Sequence, residues 1–250
     1  MHPVKTLIAA ALFITAPLAT FAAETLSSGQ KTEVEQVVRE YLLKNPEVIV
    51  EAIRELQRRD KVASAEQQFS VLKSMTAQLN ENPNDPVIGN PDGDVTMVEF
   101  FDYRCGFCKR VFPDIMTLLK EDTNIRYVLK EFPILGDDSN YAHRAAMAVW
   151  LHQKDKYQPF HIAMMASKGS LTNDKVLDFA KSSGVDMDAL PGQMKDPEID
   201  KTFAATKAQA LALNITGTPA FIVGENIAPG AIPLSAMKQL VAAARDAAAK

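Results

Sequence analysis

Two rhythms of apolar residues divide this chain. Up to Leu79 the apolar positions recur at helical spacing, and beyond Pro86 short continuous apolar runs alternate with helical stretches. Val34, Val37, Val38 and Tyr41 trace one amphipathic stretch, and Ile49, Ile53 and Leu56 trace the face of a second helix. Asn45 followed by Pro46 reads as the cap and first residue of that second helix, because proline there gives up an N–H that has no helical partner anyway. Over 57–68 (QRRDKVASAEQQ) the apolar content falls to Val62, Ala63 and Ala65, so the stretch reads as either helix or hinge. Phe69, Leu72, Thr76 and Leu79 then resume the stripe, and 80–86 (NENPNDP) reads as a boundary, since its Asn, Asp and Pro residues favour turns and extended chain.

The run VTMVEFF over 95–101 is apolar except for Glu99, the pattern of a strand covered on both faces. A helix over 105–119, a strand over 125–130, a hairpin of 220–223 with 227–232 around Gly224, Glu225 and Asn226, and a last helix over 234–249 follow from the same reading. Between the second and third strands, 141–153, 155–166, 173–182 and 197–213 read as helices. A strand, helix, strand opening, then a helical block, then a hairpin and a helix predicts an α/β sheet with an inserted helical subdomain.

The first residues add a targeting expectation. Lys5 precedes an apolar stretch from Leu7 to Leu18 and then small residues, the layout of a secretory signal peptide cleaved after Ala22. The stretch is shorter than the ~20 residues a membrane span needs. The rest of the chain then works outside the cytoplasm, where disulfides persist. Composition narrows the partners: 27 Lys and Arg against 31 Asp and Glu give a net charge of -4, which argues against nucleic acid.

The chemistry concentrates in 101–110, FDYRCGFCKR, where Cys105 and Cys108 follow a buried strand and open a helix. A thiol at a helix N-terminus meets unpaired N–H groups and the positive end of the helix dipole, so Cys105 is expected as a thiolate nucleophile and Cys108, one turn on, as its resolving partner. Gly106 leaves the sulfur open to approach, and Arg104, Lys109 and Arg110 are expected to add positive potential. Three other uses of the pair compete. A structural disulfide would close too short a loop to stabilise much, half of a zinc site would need two further ligands, and two thiolates can share Cu(I) between subunits. Glu99, six residues before Cys105, lies by the strand period on one face with Val95, Met97 and Phe101. Buried there, its pKa would be raised, and it could exchange a proton with Cys108. The competing reading is a solvated, edge-facing carboxylate. His143 and His152 read as helix-surface residues, His161 as a packed helix residue, and Met147 and Trp150 as core of the inserted block.

From Val87 onward the sequence resembles the Dsb-type thioredoxin-fold disulfide oxidoreductases. The resemblance rests on CGFC after the first strand, Pro113 eight residues beyond Cys105, Gly217-Thr218-Pro219 before a strand, and the helical block. It implies a thioredoxin fold over 84–250 with a helical insertion over about 138–214, preceded by a helical arm over 23–83 after the signal peptide of 1–22. It also implies a cis Thr218–Pro219 bond facing the sulfurs, with the Thr218 backbone pairing with an extended substrate, an acidic residue at Glu99, and no cofactor beyond the cysteine pair. Gly106-Phe107 and Thr218 resemble the isomerase members more than the dedicated oxidase.

An arm this narrow must bury its apolar face on something, and self-association through 33–79 is the expected solution. With CGFC, the arm resembles the oligomeric thiol oxidoreductases of the suppressor-of-copper-sensitivity C type. That resemblance implies a periplasmic protein acting on misfolded or reduced exported proteins, with a membrane-embedded thiol reductase as electron donor. Isomerisation or reduction is the favoured activity; dithiol oxidation, Cu(I) binding and a surface antigen that merely keeps the fold are the alternatives.

Overall fold

The computed structural model describes residues 26–249. The expected signal peptide and its cleavage after Ala22 lie outside the described residues. The chain divides into two units after Arg59.

The first unit holds α1 (Ser28–Lys44) and the opening of α2 (Glu47–Asn80). Ser27 caps α1: its hydroxyl accepts from the Gln30 N–H at 3.3 Å while the Gln30 side chain accepts from the Ser27 N–H at 2.9 Å, which satisfies two donors that the helix itself cannot. At the other end the Asn45 amide donates to the Tyr41 carbonyl, from both backbone and side chain. Asn45 therefore closes α1 instead of opening α2, which begins at Glu47. No residue of α1 is buried, and Val37, Tyr41 and Ile53 stand at least half exposed.

In the second unit, residues 60–68 are helical. Ala, Gln, Lys and Glu are strong helix formers, so the stretch holds its conformation without an apolar face. Farther along α2, Leu72 and Leu79 are buried against Val98, Phe100 and Val128, together with Ala210 and Leu213. The compact unit accordingly begins at Asp60, ahead of the boundary expected at 84, and the turn over 80–86 is internal to it. That turn is pinned by a buried ion pair between Lys130 and Asp85, with Lys130 also donating to the Gln78 carbonyl at 3.1 Å.

The sheet contains β1 (Val87–Gly89), β2 (Val95–Phe101), β3 (Ile125–Glu131), β4 (Ala220–Val223) and β5 (Asn226–Pro229), in the order β1-β3-β2-β4-β5. β2 and β3 are parallel, with Glu99 beside Leu129, and every other pairing is antiparallel. The alternation of β2 sorts its side chains: Val98 and Phe100 face the α2 side, while Val95, Met97 and Phe101 join the larger core on the other. Into that larger core α3 (Gly106–Glu121) sends Cys108, Val111, Phe112, Ile115 and Leu118, a helical stripe worth roughly 1.5–3 kcal/mol per large side chain buried. β1 escapes the sequence pattern because it has three residues and buries only Ile88.

The insertion consists of α4 (Asp137–His152), α5 (Lys154–Ala166), α6 (Asn173–Ser182), the single turn α7 (Leu190–Gln193) and α8 (Pro197–Ala212), and α9 (Leu234–Ala248) closes the chain. Met147 and Trp150 are core residues, as expected, and His161 is packed. His143 is not on a helix surface: it is completely buried where α4 meets the strand ends. His152 does lie at the surface, paired with Asp196 at 2.8 Å. Among the described residues no helix is long and apolar enough to cross a membrane.

Candidate active site

β2 ends at Phe101, and the turn Asp102-Tyr103-Arg104 delivers Cys105 to the N-cap of α3. In this extended conformation (φ -71°, ψ 114°) its Sγ accepts from the backbone N–H of Cys108 at 3.4 Å. The sulfur thus takes the place of the oxygen that usually caps a helix. The Cys108 thiol foremost, then Thr218 and the N–H groups of Cys108 and Phe107, bring the Cys105 pKa down to about 5 against the opposing effect of burial. Cys108 is shifted the other way, far above an ordinary thiol, by burial, by the Cys105 sulfur and by the Glu99 charge.

The three cations beside the cysteines each have a partner other than the sulfur. The Arg104 guanidinium donates to the Leu135 carbonyl at 3.0 Å and pairs with Asp138 at 3.4 Å. Lys109 is spent on the end of α5, donating to the Met164 and Ser167 carbonyls and to the Ser167 hydroxyl, and Arg110 stacks 4.4 Å over the exposed Phe107 ring. The low Cys105 pKa is a product of the neighbouring thiol, Thr218 and the helix-end N–H groups. A side chain at Gly106 would meet nothing within 4 Å apart from its chain neighbours.

The Thr218–Pro219 bond is cis, and the Thr218 carbonyl oxygen lies 3.3 Å from the Cys105 Sγ. The residues that sequence spacing singled out therefore meet: CGFC from the start of α3 and Thr218-Pro219 from the turn before β4. Glu99 is buried in a central strand, so it is not the solvated carboxylate of the competing reading. Burial raises its pKa to about 8; the Tyr127 hydroxyl, donating at 2.7 Å, opposes that rise and the Cys105 charge adds to it. Its other oxygen, Oε1, has no hydrogen-bond partner among the described residues.

Sequence reasoning missed a second polar cluster beside the turn. Asp102 accepts from the Arg104 N–H at 2.8 Å, from the Ile134 and Leu135 N–H groups and from the Ser139 hydroxyl. Burial alone would raise its pKa, but these donors and the nearby His143 hold it at about 2. Glu131 accepts from Tyr157 at 2.7 Å, from Tyr103 at 3.3 Å and from His143 Nδ1. The signal available in the sequence was weak: a lone His in an Ala-rich helix. Among the described residues no group of His, Cys, Asp and Glu is arranged to hold a metal ion.

A thioredoxin-type sheet that presents a Cys-X-X-Cys pair at a helix N-terminus against a cis-proline turn defines the thioredoxin-fold class. Within it, residues 96–242 match the DSBA-like thioredoxin domain, and the chain belongs to that family. Residues 30–63 match a second model, the copper resistance protein ScsC N-terminal domain. Among solved structures, a thioredoxin-like oxidoreductase from Silicibacter pomeroyi is 40% identical, covering 68% of this chain and 97% of its own, with a TM-score of 0.66. A linker-deletion variant of Proteus mirabilis ScsC is 27% identical, covering 90% of this chain and 99% of its own, with a TM-score of 0.69. Disulfide bond formation protein D of Bacillus subtilis is 27% identical over 155 residues, 57% of this chain and 68% of that protein. Na(+)/H(+) antiporter NhaA 1 of Salinispora arenicola is 29% identical over 161 residues, 64% of this chain, which spans only 24% of the antiporter's length.

Proposed function

We propose that this chain is an exported thiol-disulfide oxidoreductase acting on protein disulfides through Cys105 and Cys108, chiefly as an isomerase and reductase. The observation that carries the reading is the Cys105 sulfur capping α3, with the Cys108 N–H donating to it at 3.4 Å. A thiolate so stabilised attacks one sulfur of a substrate disulfide; that S–S bond breaks, a mixed disulfide forms, and the second substrate sulfur leaves as a thiolate that water protonates. In isomerisation another substrate thiol resolves the mixed disulfide and both cysteines return reduced. In reduction Cys108 loses its proton and attacks the Cys105 sulfur, releasing a fully reduced substrate and leaving a Cys105–Cys108 disulfide for a membrane-embedded reductase to reduce.

Glu99 is suited to take the Cys108 proton, because both groups are buried and the Glu99 charge acts on the Cys108 thiol. The negative Cys105 sulfur raises the Glu99 pKa. Once that sulfur is tied up in a mixed disulfide its charge is gone, so Glu99 ionises more readily at the step that needs a base. Thr218, next to the sulfur, offers its backbone to an extended substrate segment.

The exposed apolar residues of the arm and its match to the ScsC N-terminal domain support self-association. Leu72 and Leu79 are buried within their own chain, whereas the exposed apolar residues run from Val34 to Leu56 and continue at Val62 and Phe69. The decisive experiment is trapping: Cys108→Ala should accumulate mixed disulfides with exported proteins, and Cys105→Ala should accumulate none. Absence of trapped species from the Cys108 variant, with stoichiometric Cu(I) uptake by the native protein, would replace this reading with a copper-binding one.

A further inference from the structure

The exchange chemistry makes no use of the buried histidine that joins α4 to the turn before Cys105. His143 has two different neighbours. Its Nδ1 faces the Glu131 carboxylate, and its Nε2 lies 3.2 Å from the backbone nitrogen of Tyr103. A backbone amide can only donate, so Nε2 must present a lone pair, and the ring proton must sit on Nδ1, where Glu131 accepts it. Burial opposes a charge on the ring, while the Glu131 carboxylate and Asp102, whose oxygen lies 3.9 Å from Nε2, favour one; a second proton could go only on Nε2, where it would meet the Tyr103 N–H head-on, so the shorter contact from that N–H keeps the ring neutral.

The bond matters because of where Tyr103 stands. It is fully buried, two residues before Cys105 and past the end of β2, so no strand partner takes its N–H. The next two N–H groups of the turn also find acceptors: Arg104 donates to the Asp102 carboxylate at 2.8 Å and Cys105 to the Asp102 carbonyl at 3.0 Å. His143 is the only acceptor in this set contributed by another element, and it ties the turn to the helical insertion.

We propose that His143, held in its Nδ1–H tautomer by Glu131, is a positioning residue for Cys105: by fixing the Tyr103 N–H it fixes the turn that aims the sulfur at the N–H groups of α3. It touches neither the sulfur nor the substrate. Losing it lets the sulfur drift from its donors, which weakens the thiolate without removing any group that contacts it. The effect falls on the ionisation of Cys105 and is the same for either direction of exchange.

The test is a thiolate absorbance titration on the reduced full chain. His143→Ala and His143→Phe, neither of which offers an acceptor to the Tyr103 N–H, should raise the Cys105 midpoint by about one unit, seen as about tenfold slower alkylation at a pH below the native midpoint and an unchanged rate near pH 9, where the thiol is ionised in all forms. His143→Gln, whose carbonyl can accept from the Tyr103 N–H, should recover most of the loss. A merely structural role would lower the melting temperature and leave the midpoint in place, and that result overturns the proposal. Should His143→Ala fail to fold, His143→Phe, which keeps a ring in the buried space, decides by the same titration. Nitrogen-15 NMR of the native ring reads the tautomer independently: a bare Nε2 at pH 7 supports the proposal, and a protonated Nε2 ends it. A native midpoint near 8.5 would instead remove the low-pKa reading of Cys105 itself.

Discussion

Tyr127 donates its hydroxyl hydrogen to one oxygen of Glu99 across 2.7 Å, while the other oxygen of that buried carboxyl has no partner among the described residues. The register of β2 and β3 sets this up: Tyr127 is paired with Met97, and Glu99, two residues on, is its diagonal neighbour on the same face. The tyrosine orients the carboxyl and leaves one oxygen for a proton.

Burying Glu99 costs stability in a way that pH exposes. Its carboxyl ionises near 4.5 in an unfolded chain and near 8 when buried here. Between those values the unfolded chain has released a proton that the folded chain keeps, so stability falls as pH rises from 4.5 to 8 and then levels off. Glu99→Gln abolishes that fall. Comparing urea unfolding of the two reduced proteins, the variant should gain on the order of a few kcal/mol relative to the native chain between pH 4.5 and pH 8. Any constant cost of the amide cancels in that difference. The same variant should slow resolution of the mixed disulfide by Cys108 while leaving the first attack by Cys105 unchanged. Identical pH profiles for the two proteins would show that Glu99 is not a buried acid.

A second expectation follows from the opposite shift at Cys105. With a pKa of about 5, it should be almost fully thiolate at pH 7, roughly thirtyfold more than an ordinary cysteine, and be alkylated before Cys108. Its lowered pKa favours the folded reduced form fully above the ordinary thiol range, and this contribution is lost as pH falls through about 5. Compared with Cys105→Ser, whose other titrating groups are the same and cancel, the reduced protein should therefore gain relative stability from pH 5 to pH 9. Absorbance titration of the thiolate and thermal melts of the two proteins check both statements, and a flat difference between the two stability profiles contradicts them.

The parts of this molecule that were legible in the sequence are those whose signal is local. VTMVEFF marks a covered strand by its own composition, and CGFC and Gly217-Thr218-Pro219 mark their turns by spacing and resemblance. What stayed hidden depends on partners far along the chain. His143 reads as a surface residue of α4 because nothing adjacent shows that Glu131 and Tyr103 will meet its two nitrogens. Arg104 and Lys109 sit beside the cysteines in sequence, yet each reaches away to satisfy carbonyls of a loop or helix end. The stripe Leu72 and Leu79 was visible, but not the sheet face of Val98 and Phe100 that covers it.

That sheet face yields a third prediction. A chain beginning at Asp60 keeps Leu72, Leu79 and the Gln78 carbonyl that Lys130 uses, whereas one beginning at Asn84 loses all three. The longer fragment should fold and retain the thiolate titration of Cys105. The shorter should be destabilised by several kcal/mol, since Leu79→Ala alone should cost ~2–5 kcal/mol. Equal urea midpoints for the two fragments would mean that the second half of α2 contributes nothing to the core.

The arm supplies the last prediction. Val37, Tyr41, Ile49, Ile53 and Leu56 expose apolar surface that a lone helix pair leaves in water, and their burial against copies of the same chain would hold several Cys105 sites around one space. A substrate released from one site then meets another at high effective concentration before it escapes, which is what repeated attack on wrong disulfides requires. Placing a charge in the middle of this face, as in Ile53→Glu, puts an unpaired carboxylate where a contact must be dry. Light scattering should find the native chain from Ala23 onward as an oligomer and Ile53→Glu as a monomer with an unchanged Cys105 titration. Refolding of a scrambled multi-disulfide protein should drop severalfold in the variant, while reduction of a small disulfide proceeds at the native rate. A native chain that scatters as a monomer, or a monomeric variant that unscrambles as fast as the native protein, separates the arm from isomerisation.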